Sequence, residues 1–330
     1  MKKAAIFVAT KLGDGIIFPV LSENLRINGY QTTTFHHLLP QMQNWFPNLP
    51  AQQYPLRLDD LRLIMHFSEA ISEHIELLDS YDWIFIEPCP ETLGNELILR
   101  IANLYFREKT TVLCPLTFKG GKYRGDWRFN PKMTVADNIE VFCREILKLA
   151  KTTNYNGCTP PSHLFHRKHP NRIVLHPVSS EQKRNWPKKK FFALYDKLLS
   201  QKLDPVFCLT EQEKKEFFDQ NYGNYQYICH DNIDDLASYL YESGYFIGND
   251  SGMGHLASCL KIPTLTIFSE RYQKYLWKPA WGLTSRITAP AIIPKWRMKW
   301  LREKIWGRFI GVSKVYNLFC KLCVRDKQKT

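Results

Sequence analysis

The sequence predicts an α/β fold made of two Rossmann-like domains. Short apolar runs that read as buried strands alternate with segments of helical apolar spacing along most of the chain. The glycine-rich stretch GNDSGMGHLAS begins at Gly248, between two such runs, Tyr245–Ile247 and Thr264–Phe268. That makes a strand, a turn, a helix and a strand, the unit of a parallel sheet. Finally, the segment Thr152–Asn171, with Gly157, Pro160, Pro161, Pro170, His163, His166 and His169, divides the alternation into halves and has linker composition. A length of 330 residues suits two cores. The expected domains are 1–155 and 172–290, followed by a tail at 295–330.

Composition narrows the function classes. The nine cysteines are an odd number, several lie in apolar runs, and reduced buried thiols in a cytoplasmic protein are expected. The apolar run near the start, Ala4–Ala9, is too short for a secretory signal, and no stretch is long and apolar enough for a transmembrane helix. The net charge of +13 is uneven: Lys295–Thr330 holds eleven Lys/Arg against two Asp/Glu, and the other 294 residues hold 34 against 30. Basicity is mostly a property of the tail, which no nucleic-acid-binding module accompanies.

Ala4–Ala9 reads as the first strand. A helix from about Ile16 to Asn28 ends at Gly29, and a strand follows at Thr32–Phe35. Between strand and helix stand Gly13 and Asp14. A carboxylate at a helix N-terminus is held ionised and can accept a proton from a hydroxyl; equally, it can serve only as a cap. Pro40–Leu58 reads as a loop with Trp45 and Phe46 as anchors or substrate-site aromatics. Helices at Leu61–Leu78, Leu93–Tyr105 and Val135–Lys151 alternate with strands at Trp83–Ile86 and Thr111–Leu116. The loop Phe118–Asn130 carries Lys119, Lys122, Arg124 and Arg128 among glycines, which suits a phosphorylated acceptor or a solvated surface. Apart from the lone Cys158, the three linker histidines lack Cys or carboxylate partners at ligand spacing, so a solvated linker is expected there and no metal site.

In the second half, Arg172–His176 is a strand. Helices at Phe191–Leu199 and Ile233–Tyr241 and strands at Val206–Leu209 and Tyr225–Cys229 lead to the glycine-rich stretch. Glu211, at a strand's C-terminal end, is placed to bind a ribose hydroxyl or to stand in a helix first turn. Asn249, Asp250, Ser251, Gly252, Met253, Gly254 and His255 form the turn and start the next helix. Glycines admit close approach of a ligand and a helix N-terminus favours phosphate; alternatively Asp250 or Ser251 merely caps the helix.

GNDSGMGHLAS resembles the hallmark of glycosyltransferase family 9, the heptosyltransferase-like enzymes of lipopolysaccharide assembly. Asp250, Ser251, Gly252 and His255 fall on matching positions. KLGDGIIFPVL resembles that family's opening segment, with Asp14 at the position of the proposed catalytic base. Lys183-Arg184-Asn185-Trp186-Pro187 resembles its basic-x-Trp-Pro motif: spacing selects Arg184 and residue type selects Lys183. Val178 stands where the family has glycine. The resemblance implies a GT-B fold, two Rossmann-like domains facing a cleft. It also implies metal-independent, inverting transfer from a nucleotide-diphosphate sugar such as ADP-heptose to a lipopolysaccharide-core or other glycan acceptor. No cofactor is expected beyond the donor. A non-catalytic nucleotide-sugar-binding protein is the alternative.

In the tail, Leu301, Ile305, Phe309, Val312, Tyr316, Phe319 and Cys323 share one helical face, with basic residues and Trp296, Trp300 and Trp306 around it. This predicts an amphipathic helix that lies on an anionic membrane surface, making the protein peripheral on the inner membrane, or that packs on the first domain. Cys320 and Cys323 form a CxxC pair of little weight for metal or redox chemistry.

Overall fold

The computed structural model describes the chain except residues 9–10, 54–66, 89–92, 115–126, 219–224, 231, 270–272, 291–304 and 329–330. It divides into two compact units, Met1–Thr159 and Pro160–Thr330.

The first unit holds a six-stranded parallel sheet: β1 (Lys3–Phe7), β2 (Gln31–Phe35), β3 (Ala51–Gln52), β4 (Trp83–Ile86), β5 (Thr110–Cys114) and β6 (Trp127–Arg128), in the spatial order β3-β2-β1-β4-β5-β6. Four of the five residues of β1 are buried, because helices cover both faces of a parallel sheet. The single helix expected near Ile16–Asn28 is two, α1 (Leu12–Ile17) and α2 (Pro19–Ile27). Pro19 opens α2, where its missing N–H costs nothing. The helices α3 (Phe67–Asp79), α4 (Leu93–Tyr105) and α5 (Val135–Glu145) complete the unit. Thr134 caps α5, accepting from the Asp137 N–H. Phe7 and Phe35 stack at 4.5 Å in the core beside Ile84, Ile86 and Ile98. Trp45 and Phe46 are both fully buried, so they are anchors and not substrate-site aromatics. The start of the expected solvated linker is docked. The Asn24 side chain pairs with both backbone groups of Thr153, and buried Asn156 donates to the Ile16 carbonyl.

The second unit repeats the topology. Its strands are β7 (His169–His176), β8 (Asp204–Leu209), β9 (Tyr227–Cys229), β10 (Ser243–Asn249), β11 (Thr264–Phe268) and β12 (Thr284–Thr288), ordered β12-β11-β10-β7-β8-β9 and all parallel. In both sheets the order reverses beside the first strand, at β1/β4 and at β7/β10, which is where open α/β sheets bind ligands. The helices are α6 (Lys188–Ser200), α7 (Glu211–Phe217), α8 (Ile233–Tyr241), α9 (Gly252–Cys259), α10 (Gln273–Leu276) and α11 (Val312–Lys327). Thr210 and Glu213 close a capping box on α7.

The tail belongs to this unit's core. Trp306, Ile310, Val315, Phe319 and Leu322 are buried in one cluster with Trp186, Phe191 and Phe207, and Val312, Tyr316 and Cys323 pack against it. The expected continuous apolar face is broken at Gly311, the N-cap of α11, and Phe309 is exposed. The apolar face of α11 is thus spent inside the second unit. Arg167 fastens the far end of α11 with a bidentate pair to Asp326 (2.7 and 3.0 Å), which Tyr245 also contacts by a hydroxyl donated at 2.9 Å.

Candidate functional site

In the second unit the C-terminal ends of β7 and β10 lie side by side, with Gly248 opposite His176. His176 is pinned to β8 by its Nδ1, which donates to the Cys208 carbonyl at 2.9 Å. The turn after β7 closes with valine at 178: Val178 packs against the core, and its backbone φ is not positive. The Ser179 hydroxyl donates to Asn185 Oδ1 at 2.7 Å. Buried Asn249 ties this turn to the Trp-Pro motif. Its Oδ1 accepts the Trp186 N–H at 3.0 Å, and its Nδ2 donates to the Pro177 carbonyl and, at 3.4 Å, to Asn185 Oδ1. With both amide groups engaged, Asn249 orders the loops around the turn.

The two basic residues of the motif part company. Lys183 is half exposed and pairs with Glu181 at 3.0 Å. Arg184, 19% exposed, turns inward, with one nitrogen 3.7 Å from Asp250 Oδ2 and another 2.8 Å from the Ser180 hydroxyl. Spacing therefore selects the residue at the site, and residue type does not.

Ser251 is the N-cap of α9, yet its side chain makes no capping bond, so the expectation of a mere helix cap fails for it. Its hydroxyl is buried without a partner, as are Arg184 Nε, His255 Nδ1 and Thr266 Oγ1. Buried polar atoms are almost always hydrogen-bonded, and an exception needs a reason. Ser251 and His255 are four residues apart, on one face of α9. Burial pushes His255 down to about 4, so its imidazole is neutral near pH 7. Gly252 begins the helix, Met253 is buried, and a Cβ added at Gly254 would meet Thr266 and Phe246 only at ordinary contact distance. A guanidinium, a helix N-terminus, a hydroxyl and a neutral imidazole at one strand end make a site for an anion with several oxygens. Glu211 lies apart in function. It is exposed in the first turn of α7 and pairs with Lys214 at 3.6 Å, which is the helix-first-turn placement.

In the first unit Asp14 is buried in the first turn of α1, beside Gly13 and Gly15. Fully buried His36, at the end of β2, was not singled out by any sequence motif. Its Nε2–H donates to the Lys11 carbonyl at 3.2 Å, and its Nδ1 accepts the N–H groups of Leu38 and Leu39 at 3.0 Å. A Cβ on Gly15 would stand 2.5 Å from the His36 ring, so only glycine fits. His36 thereby sets the height of the turn that carries Asp14. Glu87, also buried, ends the neighbouring strand β4. Of the basic acceptor candidates, Lys119, Lys122 and Arg124 lie outside the described residues, as does the side chain of Arg128, whose backbone is in β6. Among the described residues no group of three His, Cys, Asp or Glu is arranged to hold a metal ion.

Residues 132–288 match the model of glycosyltransferase family 9 (heptosyltransferase). No curated protein matches the chain. Among solved structures, a family 9 glycosyl transferase from Veillonella parvula superposes with a TM-score of 0.69 at 16% identity, covering 98% of each chain. The ADP-heptose lipopolysaccharide heptosyltransferase II of E. coli gives 0.64 at 12% identity, over 99% of this chain and 100% of that one. The E. coli heptosyltransferase WaaC, solved with ADP-2-deoxy-2-fluoro heptose, gives 0.63 at 12% identity, over 97% of this chain and 99% of that one. Over residues 132–288 the chain is similar to glycosyltransferase family 9 (heptosyltransferase), and its fold is of the GT-B type.

Proposed function

We propose that the protein transfers a sugar, with inversion and without a metal, from a nucleotide-diphosphate sugar to a lipopolysaccharide-core or other glycan acceptor. The single observation that carries the reading is the set of buried, unpartnered polar atoms around the α9 N-terminus: Arg184 Nε, Ser251 Oγ and His255 Nδ1. A diphosphate would satisfy them. That WaaC was solved with an ADP-sugar supports ADP-heptose as the first donor to try. In this mechanism Asp14 takes the proton of the acceptor hydroxyl as its oxygen attacks the anomeric carbon. The bond to the diphosphate breaks, and the charge growing on the leaving group is met by Arg184 and the helix N-terminus. Fixed positive groups where charge develops are usually the largest catalytic contribution. The alternative of a silent binder drew on Val178 and the doubled basic pair. Val178 takes the turn without a positive φ, and Arg184 stands beside Asp250, which favours the enzyme reading. Among the described residues no helix is long and apolar enough to cross a membrane. The exposed side chains of Lys314, Lys321 and Lys327 supply positive charge for attachment to an anionic inner-membrane surface.

The test is a thermal-shift screen of ADP-, GDP- and UDP-sugars, followed by nucleotide-release assays. A ligand bound only by the folded chain must raise Tm. A donor that raises Tm in the native chain and less in Ser251→Ala is expected. No shift and no nucleotide release with any of them would remove the proposal.

A further inference from the structure

We propose that the C-terminal segment Trp306–Ile310 positions Arg184, with Trp306 and Lys190 as positioning residues for the donor loop. The loop Glu181–Trp186 has little regular structure of its own beyond one short turn, Gln182–Arg184. Its backbone is held from behind by the tail. Trp306 Nε1–H donates to the Lys183 carbonyl at 2.9 Å, immediately before Arg184. Trp186 Nε1–H donates to the Ile310 carbonyl at 3.0 Å. Lys190, in the first turn of α6, gives its ammonium to three tail carbonyls, those of Gly307 and Ile310 at 2.8 Å and of Arg308 at 3.1 Å. Gly307 lies against Pro187 so closely that a Cβ would come within 2.4 Å of the Pro187 ring. Both tryptophans are buried, Trp306 at 2% and Trp186 at 1% exposure. The loop is thus clamped between Asn249 in front and the tail behind. A side chain that must meet a diphosphate gains from such fixing, since each unfixed rotamer would have to be ordered on binding. The role given to Arg184 rests on the donor reading above; the clamp itself rests on these contacts.

Hydrogen–deuterium exchange of the full chain tests it. Trp306→Phe keeps the ring and removes its N–H, and Lys190→Met keeps the stem and removes the ammonium. Trp306→Phe is expected to quicken amide exchange over 181–186 by about fivefold, the effect of one hydrogen bond, and Lys190→Met, which removes three donated bonds, by at least as much, while α9 and the first unit keep their rates. Lys190→Arg, which retains donors, should restore slow exchange. ADP affinity, read by calorimetry, should fall in the same two variants and recover in Lys190→Arg. Unchanged exchange over 181–186 in both variants overturns the clamp, and so does exchange quickened equally throughout the chain. Local loosening in a protein that binds neither ADP nor UDP keeps the clamp and removes the donor reading.

Discussion

Arg184→Met and Lys183→Met should separate two residues that the sequence leaves equivalent. Arg184 is mostly buried, with its Nε unpartnered and one nitrogen 3.7 Å from Asp250. A hydrogen bond to a charged group in such surroundings contributes about 1.5–3 kcal/mol, which is roughly a 10- to 150-fold loss of affinity on removal. Lys183 is half exposed, and its partner Glu181 at 3.0 Å is shared with Arg184 at 3.4 Å. Exposed pairs contribute about 1 kcal/mol or less, so its removal should weaken binding by about fivefold at most. Arg184→Lys should fall between wild type and Arg184→Met, because an ammonium lacks the fork that spans Ser180 and Asp250. The assay is calorimetric titration of each folded variant with the nucleotide found in the thermal-shift screen, at about 0.1 M salt, where exposed charges are largely screened. A Lys183→Met loss as large as that of Arg184→Met would refute the assignment.

Asp14→Asn should abolish transfer while nucleotide affinity, which the proposed donor site assigns to the second unit, stays within about twofold, a difference of roughly 0.4 kcal/mol; retained turnover excludes the general-base role. His255 binds a proton more readily unfolded (ordinary value 6.5) than folded (about 4), so its contribution to stability is full above about pH 6.5 and is lost as pH falls toward 4. The loss is on the order of 3 kcal/mol across that window, and urea melts at pH 4.5 and 7 should show it reduced in His255→Leu. A chain ending at Lys304 should fail to keep the second unit folded. It loses buried Trp306, Ile310, Val315, Phe319 and Leu322, at roughly 2 kcal/mol each, about as much as a whole domain's stability. A sharp thermal transition from that unit alone would contradict this.

Much of the fold was legible because its signals are local. Buried parallel strands such as Trp83–Ile86 and Thr264–Phe268 are continuous apolar runs, and both were read with the bounds they have. The capped helix Ile233–Tyr241 was equally plain, with Asn232 accepting from the Asp235 N–H. The glycine-rich turn announced the α9 site because close approach and a helix start leave marks within a few residues. The strand Thr284–Thr288 was missed. It is an edge strand of half-buried residues with no apolar run. His36, Asn249 and Lys190 act through backbone groups far along the chain. Nothing in their neighbourhoods distinguishes an ordering role from any other polar residue.

The tail shows where periodicity stops informing. An apolar face at helical spacing states that a surface is covered, and says nothing of what covers it. The face read from Leu301 to Cys323 assumed one continuous helix, but the chain is extended at Gly311, and the helical phase restarts at Val312. After that restart the buried set is Val315, Phe319 and Leu322, of which only Phe319 was on the expected face. The glycines that weakened the helix had their own causes. Gly307 gives Pro187 room, and Gly311 ends the tight turn whose carbonyls hold Lys190. A charge of +9 over Lys295–Thr330 suggests a membrane surface, while Trp306, Ile310, Val315, Phe319 and Leu322 are buried in the second unit's core. The two properties belong to opposite sides of one segment, and the buried side supports the loop on which Arg184 is carried.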